Sequence, residues 1–124
     1  MSTTITRADV IQWMEKFKIG WIEKKKDEVL KLFEKTTLYY ERPFKPGTTQ
    51  EEIRGYWNDI DALDDITLDY DIVALEGNTV CVHWNNKYRY QGEYFHLDGV
   101  YTIVFNDKKE CVEFHQWWFM EPKS

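Results

Sequence analysis

The chain lacks most of the features that mark several large classes of protein. Cysteine is scarce: Cys81 and Cys111 stand far apart, with no Cys-x-x-Cys pair and no Cys-His cluster at metal-site spacing. Both are read as free thiols, and neither a disulfide framework nor a metal site is predicted. No apolar run approaches the roughly 18 residues of a membrane span, and the polar start, Met1 to Arg7, has no signal-peptide apolar segment. A cytoplasmic location, reduced thiols and no membrane partner are the expectations. Positive charge is also short: the net charge is −6 and the pI is near 5.1. The one basic run, Lys24, Lys25 and Lys26, is flanked by Glu23, Asp27 and Glu28, so it reads as a solvated helix surface. Such a surface repels phosphate backbones, and nucleic acid is not an expected partner. With no repeat, low-complexity tract or linker, residues 1–124 are expected to form a single domain.

Aromatic residues, in contrast, are abundant: 17% of the chain, with 6 Trp, 8 Tyr and 7 Phe. They bury large areas and line ligand cavities well, although for any one of them a place in the core is the plainer reading. The order of patterns predicts helices first. Thr6 with Asp9 forms a capping-box signal, Ile5 and Val10 a hydrophobic staple, and Val10, Trp13, Met14, Phe17 and Trp21 recur at helical spacing. A short second helix carries Val29, Leu30, Leu32 and Phe33. A β-rich stretch over 36–41 leads into the loop Arg42-Pro43-Phe44-Lys45-Pro46-Gly47. Thr49 with Glu52 caps a third helix, whose face is Ile53, Tyr56, Trp57 and Ile60.

Beyond Asp65 the period changes to two, and long strands are predicted. Ile66, Leu68, Tyr70, Ile72 and Ala74 share one face of the first, then Val80, Val82, Trp84, Asn86, Tyr88 and Tyr90 share one face of the next. Phe95, Leu97, Gly99, Tyr101, Ile103 and Phe105 follow, and last Val112, Phe114, Gln116, Trp118 and Met120. Two amides, Asn86 and Gln116, interrupt otherwise apolar stripes. Burying an amide without partners costs on the order of 1 to 3 kcal/mol. Both are therefore expected to be bonded, either to each other, to backbone or to trapped water, or to a ligand whose orientation they set.

The strings Tyr39-Tyr40-Glu41-Arg42-Pro43-Phe44, Glu51-Glu52-Ile53-Arg54-Gly55-Tyr56-Trp57, Leu97-Asp98-Gly99-Val100-Tyr101 and Glu113-Phe114-His115-Gln116-Trp117-Trp118, in this order and spacing, resemble the SnoaL-like branch of the nuclear-transport-factor-2-like superfamily. The resemblance implies an α+β fold. Its N-terminal helices pack in the concave face of a curved, mostly antiparallel sheet, a cone-shaped α+β barrel around one pocket. The family includes ketosteroid isomerase, limonene epoxide hydrolase, polyketide cyclases and non-catalytic binding domains, so the fold alone does not fix the function. In the epoxide hydrolase pattern the water-holding Tyr and Asn fall at Tyr39 and Glu41. The charged Asp, Arg, Asp relay falls at Gln116, Trp84 and Asn86, which cannot carry that proton transfer. In the isomerase pattern the base position is occupied by Arg42, while Tyr101 stands where an oxyanion-hole acid is expected.

The remaining acid-base candidates are Glu41 and Asp98, with Tyr39 as polar neighbour. Glu41 either points into the cavity, where burial raises its pKa toward that of a general base, or lies on the rim paired with Arg42. Asp98 has strand parity opposite to Tyr101 and faces the pocket only if a bulge intervenes. His83 and His115 fall on outward faces and are read as surface or interface residues. Trp117 and Phe119 on the same outward side predict a twofold homodimer through the sheet face. Three functions follow. The first is a domain binding a small apolar or aromatic ligand among Trp21, Tyr39, Trp57, Trp84, Asn86, Tyr88, Tyr101, Gln116 and Trp118. The second is an isomerase, cyclase or dehydratase using Glu41, or less favourably Asp98, as base with Tyr39 or Tyr101 polarising a carbonyl. The third is a protein-interaction module with a filled interior. No cofactor is expected.

Overall fold

A computed structural model describes residues 4–122. Helix α1 spans Arg7–Ile22, and its first turn is fixed by the predicted capping box: Thr6 Oγ1 accepts the Asp9 N–H at 3.2 Å, and the Asp9 carboxylate accepts the Thr6 N–H at 2.9 Å. Val10, Trp13, Met14 and Phe17 form its buried stripe. Helix α2, Lys26–Leu32, buries Val29 and Leu30 against it. Strand β1 is only Leu38–Tyr40. Beyond it the chain doubles back, because Tyr39 and Gly47 exchange two backbone hydrogen bonds of 2.9 and 2.8 Å. The proline-bearing loop is thus pinched at its base. Helix α3, Gln50–Tyr56, starts where Thr49 Oγ1 accepts the Glu52 N–H at 3.1 Å; the Glu52 carboxylate reaches the Thr48 N–H rather than closing the predicted box on Thr49 itself.

Four long strands follow: β2 Leu63–Glu76, β3 Thr79–Tyr90, β4 Glu93–Phe105 and β5 Cys111–Met120. The sheet order is β1-β5-β4-β3-β2. All neighbours are antiparallel except β1, which lies parallel to β5 with Tyr39 opposite Phe114. The sheet is mostly antiparallel, as predicted, but it does not close into a barrel: β1 and β2 remain its two edges. Strand β2 carries register shifts between Asp64 and Thr67 and between Ile72 and Ala74, so its inward face is Leu63, Ile66, Leu68, Tyr70 and Ile72, and Ala74 is exposed. The predicted face of the last strand also needs one correction. A shift after Val104 pairs Phe105 with Cys111, which puts Cys111 and Phe114 in the core and takes Val112 off the inward line.

Packing divides the concave side into two halves. Around the middle of α1 the interior is filled by rings: Phe17 stacks on Trp13 at 5.4 Å and meets Phe33, Trp57 and Tyr101 edge-on at 5.5 to 6.0 Å. Such pairs add about 0.5 to 1.5 kcal/mol each beyond the area they bury. One turn further along α1, at Trp21, the filling stops.

Candidate functional site

Past Trp21 the two layers form a cavity of about 440 Å³ that is open to solvent on one side, within the ordinary size range of ligand pockets. Each element contributes by a local rule. The period of two along β3 brings Trp84, Asn86 and Tyr88 to its wall, β4 adds Tyr101, and β5 adds Gln116 and Trp118. Trp21 comes from the last turn of α1, and Trp57 from the end of α3, where the two indoles meet at 4.9 Å. Tyr39 reaches the wall from β1, stacked between Tyr56 at 5.3 Å and Phe114 at 4.9 Å. All nine side chains predicted to surround a ligand therefore share one wall.

Trp84 is held most firmly. Its ring stacks on Tyr101 at 5.1 Å and 15° and is 2% exposed. Its strand partner across the sheet is Gly99, which in turn faces Trp118 on β5. A Cβ at position 99 would run into the Trp117 carbonyl oxygen and lie 2.7 Å from the Trp84 ring, so only glycine lets that indole lie down on the sheet. Gly47 has a similar role at the other side, where a Cβ would come 2.8 Å from the Tyr56 ring.

The two amides differ. Asn86, 3% exposed, donates through Nδ2 to the Thr67 carbonyl at 2.9 Å, next to the first register shift of β2. Backbone is thus one of its partners, one of the predicted alternatives. Gln116 is half-buried in the cavity wall. The buried Nε1 atoms of Trp21 and Trp84 have no hydrogen-bond partner within the protein, and neither has that of Trp13 in the filled half, each at a cost of the order of 1 to 3 kcal/mol.

The titratable groups fall into a pattern. Glu41 is half-buried and lines the cavity; burial raises its carboxyl pKa, the Arg42 charge pulls it back and the Asp59 charge pushes it up again. Tyr39 and Tyr101 are raised by burial and stay neutral O–H donors at any ordinary pH. The Tyr39 phenol is pushed further by Tyr101 and Glu41, against a smaller opposing pull from the Trp57 indole N–H. Asp98 is a correction. No bulge interrupts β4 there, so its carboxylate faces the convex side and meets His83 Nε2 at 2.9 Å, outside the cavity. Tyr56 and Asp59, in contrast, line the cavity without having been singled out. Tyr56 sat on the predicted α3 face; nothing in the local pattern marked Asp59.

Among the described residues no group of His, Cys, Asp and Glu is placed to hold a metal ion. His83 and His115 lie on the convex side with His96, which bridges Glu121 at 2.7 Å and Asn85 at 2.7 Å. No helix among the described residues is long and apolar enough to cross a membrane.

The family described as SnoaL-like domain matches residues 10–113, nearly the whole chain. This chain belongs to that SnoaL-like family. Among curated protein sequences none matches it. Solved structures share the SnoaL-like fold with it. AusH from Aspergillus nidulans superposes with a TM-score of 0.77 at 18% identity, over 96% of this chain and 89% of its own. A Mycobacterium tuberculosis protein in complex with estradiol-17beta-hemisuccinate gives 0.74 at 10%, over 92% and 98%. A protein of ketosteroid isomerase-like fold from Catenulispora acidiphila, in complex with trimethylamine, gives 0.71 at 12%, over 86% and 84%. At such identities the likeness is one of fold.

Proposed function

We propose that this SnoaL-like domain binds a small ligand with an apolar or aromatic body in the cavity between α1, α3 and the sheet. One observation carries the reading: the interior is packed with rings up to Phe17 and then left open over about 440 Å³, with aromatic walls and a few polar groups. Such a partly open, aromatic-lined pocket with a few polar groups is the usual form of a small-molecule site. The complexes of two relatives, one with trimethylamine and one with estradiol-17beta-hemisuccinate, agree with it. Titration with a neutral aromatic such as naphthol, followed by Trp fluorescence, is expected to saturate, because Trp21, Trp57, Trp84 and Trp118 all line the cavity. Glu41→Gln is expected to change that affinity little. A signal that stays linear to the solubility limit would count against the pocket.

A second reading is favoured by Glu41. A carboxylate with a raised pKa shares the cavity with two neutral phenols, Tyr39 and Tyr101, and this is the pairing that proton transfer next to a polarised carbonyl requires. An isomerase, cyclase or dehydratase of this kind would lose turnover in Glu41→Gln while keeping its binding.

The convex side belongs to the same proposal. Tyr40, His115 and Trp117 stack in a row at 4.5 and 5.7 Å, and Phe119 beside them is 73% exposed. A second copy of the chain is the partner proposed for this face. Sedimentation is expected to report a dimer that Trp117→Ser with Phe119→Ser converts to monomer; an unaltered dimer would place the contact elsewhere.

A further inference from the structure

The cavity carries a sign of charge as well as a shape. Its wall holds two carboxylates, Glu41 and Asp59, and among the described lining residues no Lys, Arg or His. The Asp59 charge contributes to the raised carboxyl of Glu41, and the Glu41 charge in turn raises Tyr39 and Tyr56. Glu41 follows the last residue of β1 and shares the cavity wall with the rings of Tyr39, Tyr56 and Trp57. The nearby cation Arg42 is exposed, belongs to the loop and is not part of the wall.

A neutral ligand would leave the half-buried Glu41 partly desolvated beside apolar rings, with only the exposed Arg42 to offset it, and an anionic one would add repulsion from both Glu41 and the exposed Asp59. A cation removes both difficulties. Ring faces attract it through their quadrupoles, and a carboxylate in a low-dielectric wall attracts it more strongly than in water. We infer that the ligand of this cavity is an organic cation, a tertiary or quaternary alkylammonium joined to an apolar or aromatic body, held by Glu41 and Asp59 against the rings of Tyr39, Tyr56 and Trp57. The net charge of −6 favours its approach as well. This inference rests on the cavity being a small-molecule site and adds the chemical class of its ligand. It also gives Glu41 a role that needs no catalysis, which is to be ionised when the cation is bound.

The test compares two probes of one shape. Benzyltrimethylammonium and neopentylbenzene differ only in the exchange of a charged nitrogen for a carbon. With Trp fluorescence as readout, the cation is expected to bind at least ~10-fold more tightly than its neutral isostere. Glu41→Gln combined with Asp59→Asn is expected to remove roughly that advantage while leaving neopentylbenzene binding as it was. Acidification of the wild type should weaken the cation alone, as Glu41 takes up its proton. Equal affinity for the two probes overturns the cation assignment and leaves the small-molecule reading standing. Binding of neither, by the wild type, overturns both. A cation preference that survives the double substitution also overturns the assignment of Glu41 and Asp59.

Discussion

Gly99→Ala is expected to lower stability by about 3 kcal/mol, near the upper end for overpacking by a single methyl group, and to weaken binding of an aromatic ligand at least ~10-fold. For a chain of this length that is roughly 10 °C in Tm. The added carbon would meet backbone on one side, the Trp117 carbonyl oxygen, and on the other the Trp84 ring. Neither yields cheaply. The carbonyl belongs to a paired strand, and the indole is pinned by its stack on Tyr101. Relief requires that Trp84 leave the sheet, which moves it into the cavity it lines. Gly55→Ala is the control: a Cβ there meets nothing within 4 Å, the site is helical, and stability should hold or rise slightly. If thermal unfolding of Gly99→Ala coincided with that of wild type, the fixed position assigned to Trp84 would be wrong.

Asn86 supports the second large effect. Asn86→Leu keeps the branched skeleton but leaves the Thr67 carbonyl without its side-chain donor, at a cost of about 1 to 3 kcal/mol. Asn86→Asp tests the same contact through pH. At 3% exposure a carboxyl placed against a carbonyl oxygen is satisfied only when protonated, because only then does it donate. Its folded-state pKa should therefore rise above the unfolded value of about 3.9. The sign follows: relative to wild type, stability of the Asp variant is fully present below about pH 4 and is lost as pH rises through the raised folded pKa. A shift of two or more units would amount to about 3 kcal/mol by neutral pH. Denaturant titrations of both proteins at several pH values give the difference directly, and one that does not vary with pH would mean that the side chain at 86 is wet.

Much of this site was legible because β3, β4 and β5 are long. Over ten or more residues the alternation has only one assignment that buries its aromatics, so Trp84, Asn86, Tyr101 and Gln116 could be placed together without knowing the pairing. The same rule placed Asp98 outside unless a bulge intervened, and none does. Legibility failed where length or regularity failed. β1 has three residues, too few to say which way Glu41 points, and its direction is set by the parallel pairing with β5 and the Tyr39 to Gly47 bridge. Val112 was misplaced because one register shift moves a residue off its face. Asp59 lies between α3 and the short 3-10 turn Ile60–Ala62, where no period exists, and only the tertiary arrangement brings it beside Glu41.

The open edge of the sheet has a consequence of its own. Alternate residues along the fourteen of β2 offer unpaired backbone groups to any passing extended chain, the usual starting point for fibre growth. This margin is dressed with Asp64, Asp65 and Asp69, ion-paired to Lys24, Arg89 and Lys18, and with exposed Asp71. An incoming strand would have to strip those pairs, bury a fourth carboxylate and follow two kinks in register. Replacing the four by asparagine is the change that would weaken that protection most and open the edge to polymerisation.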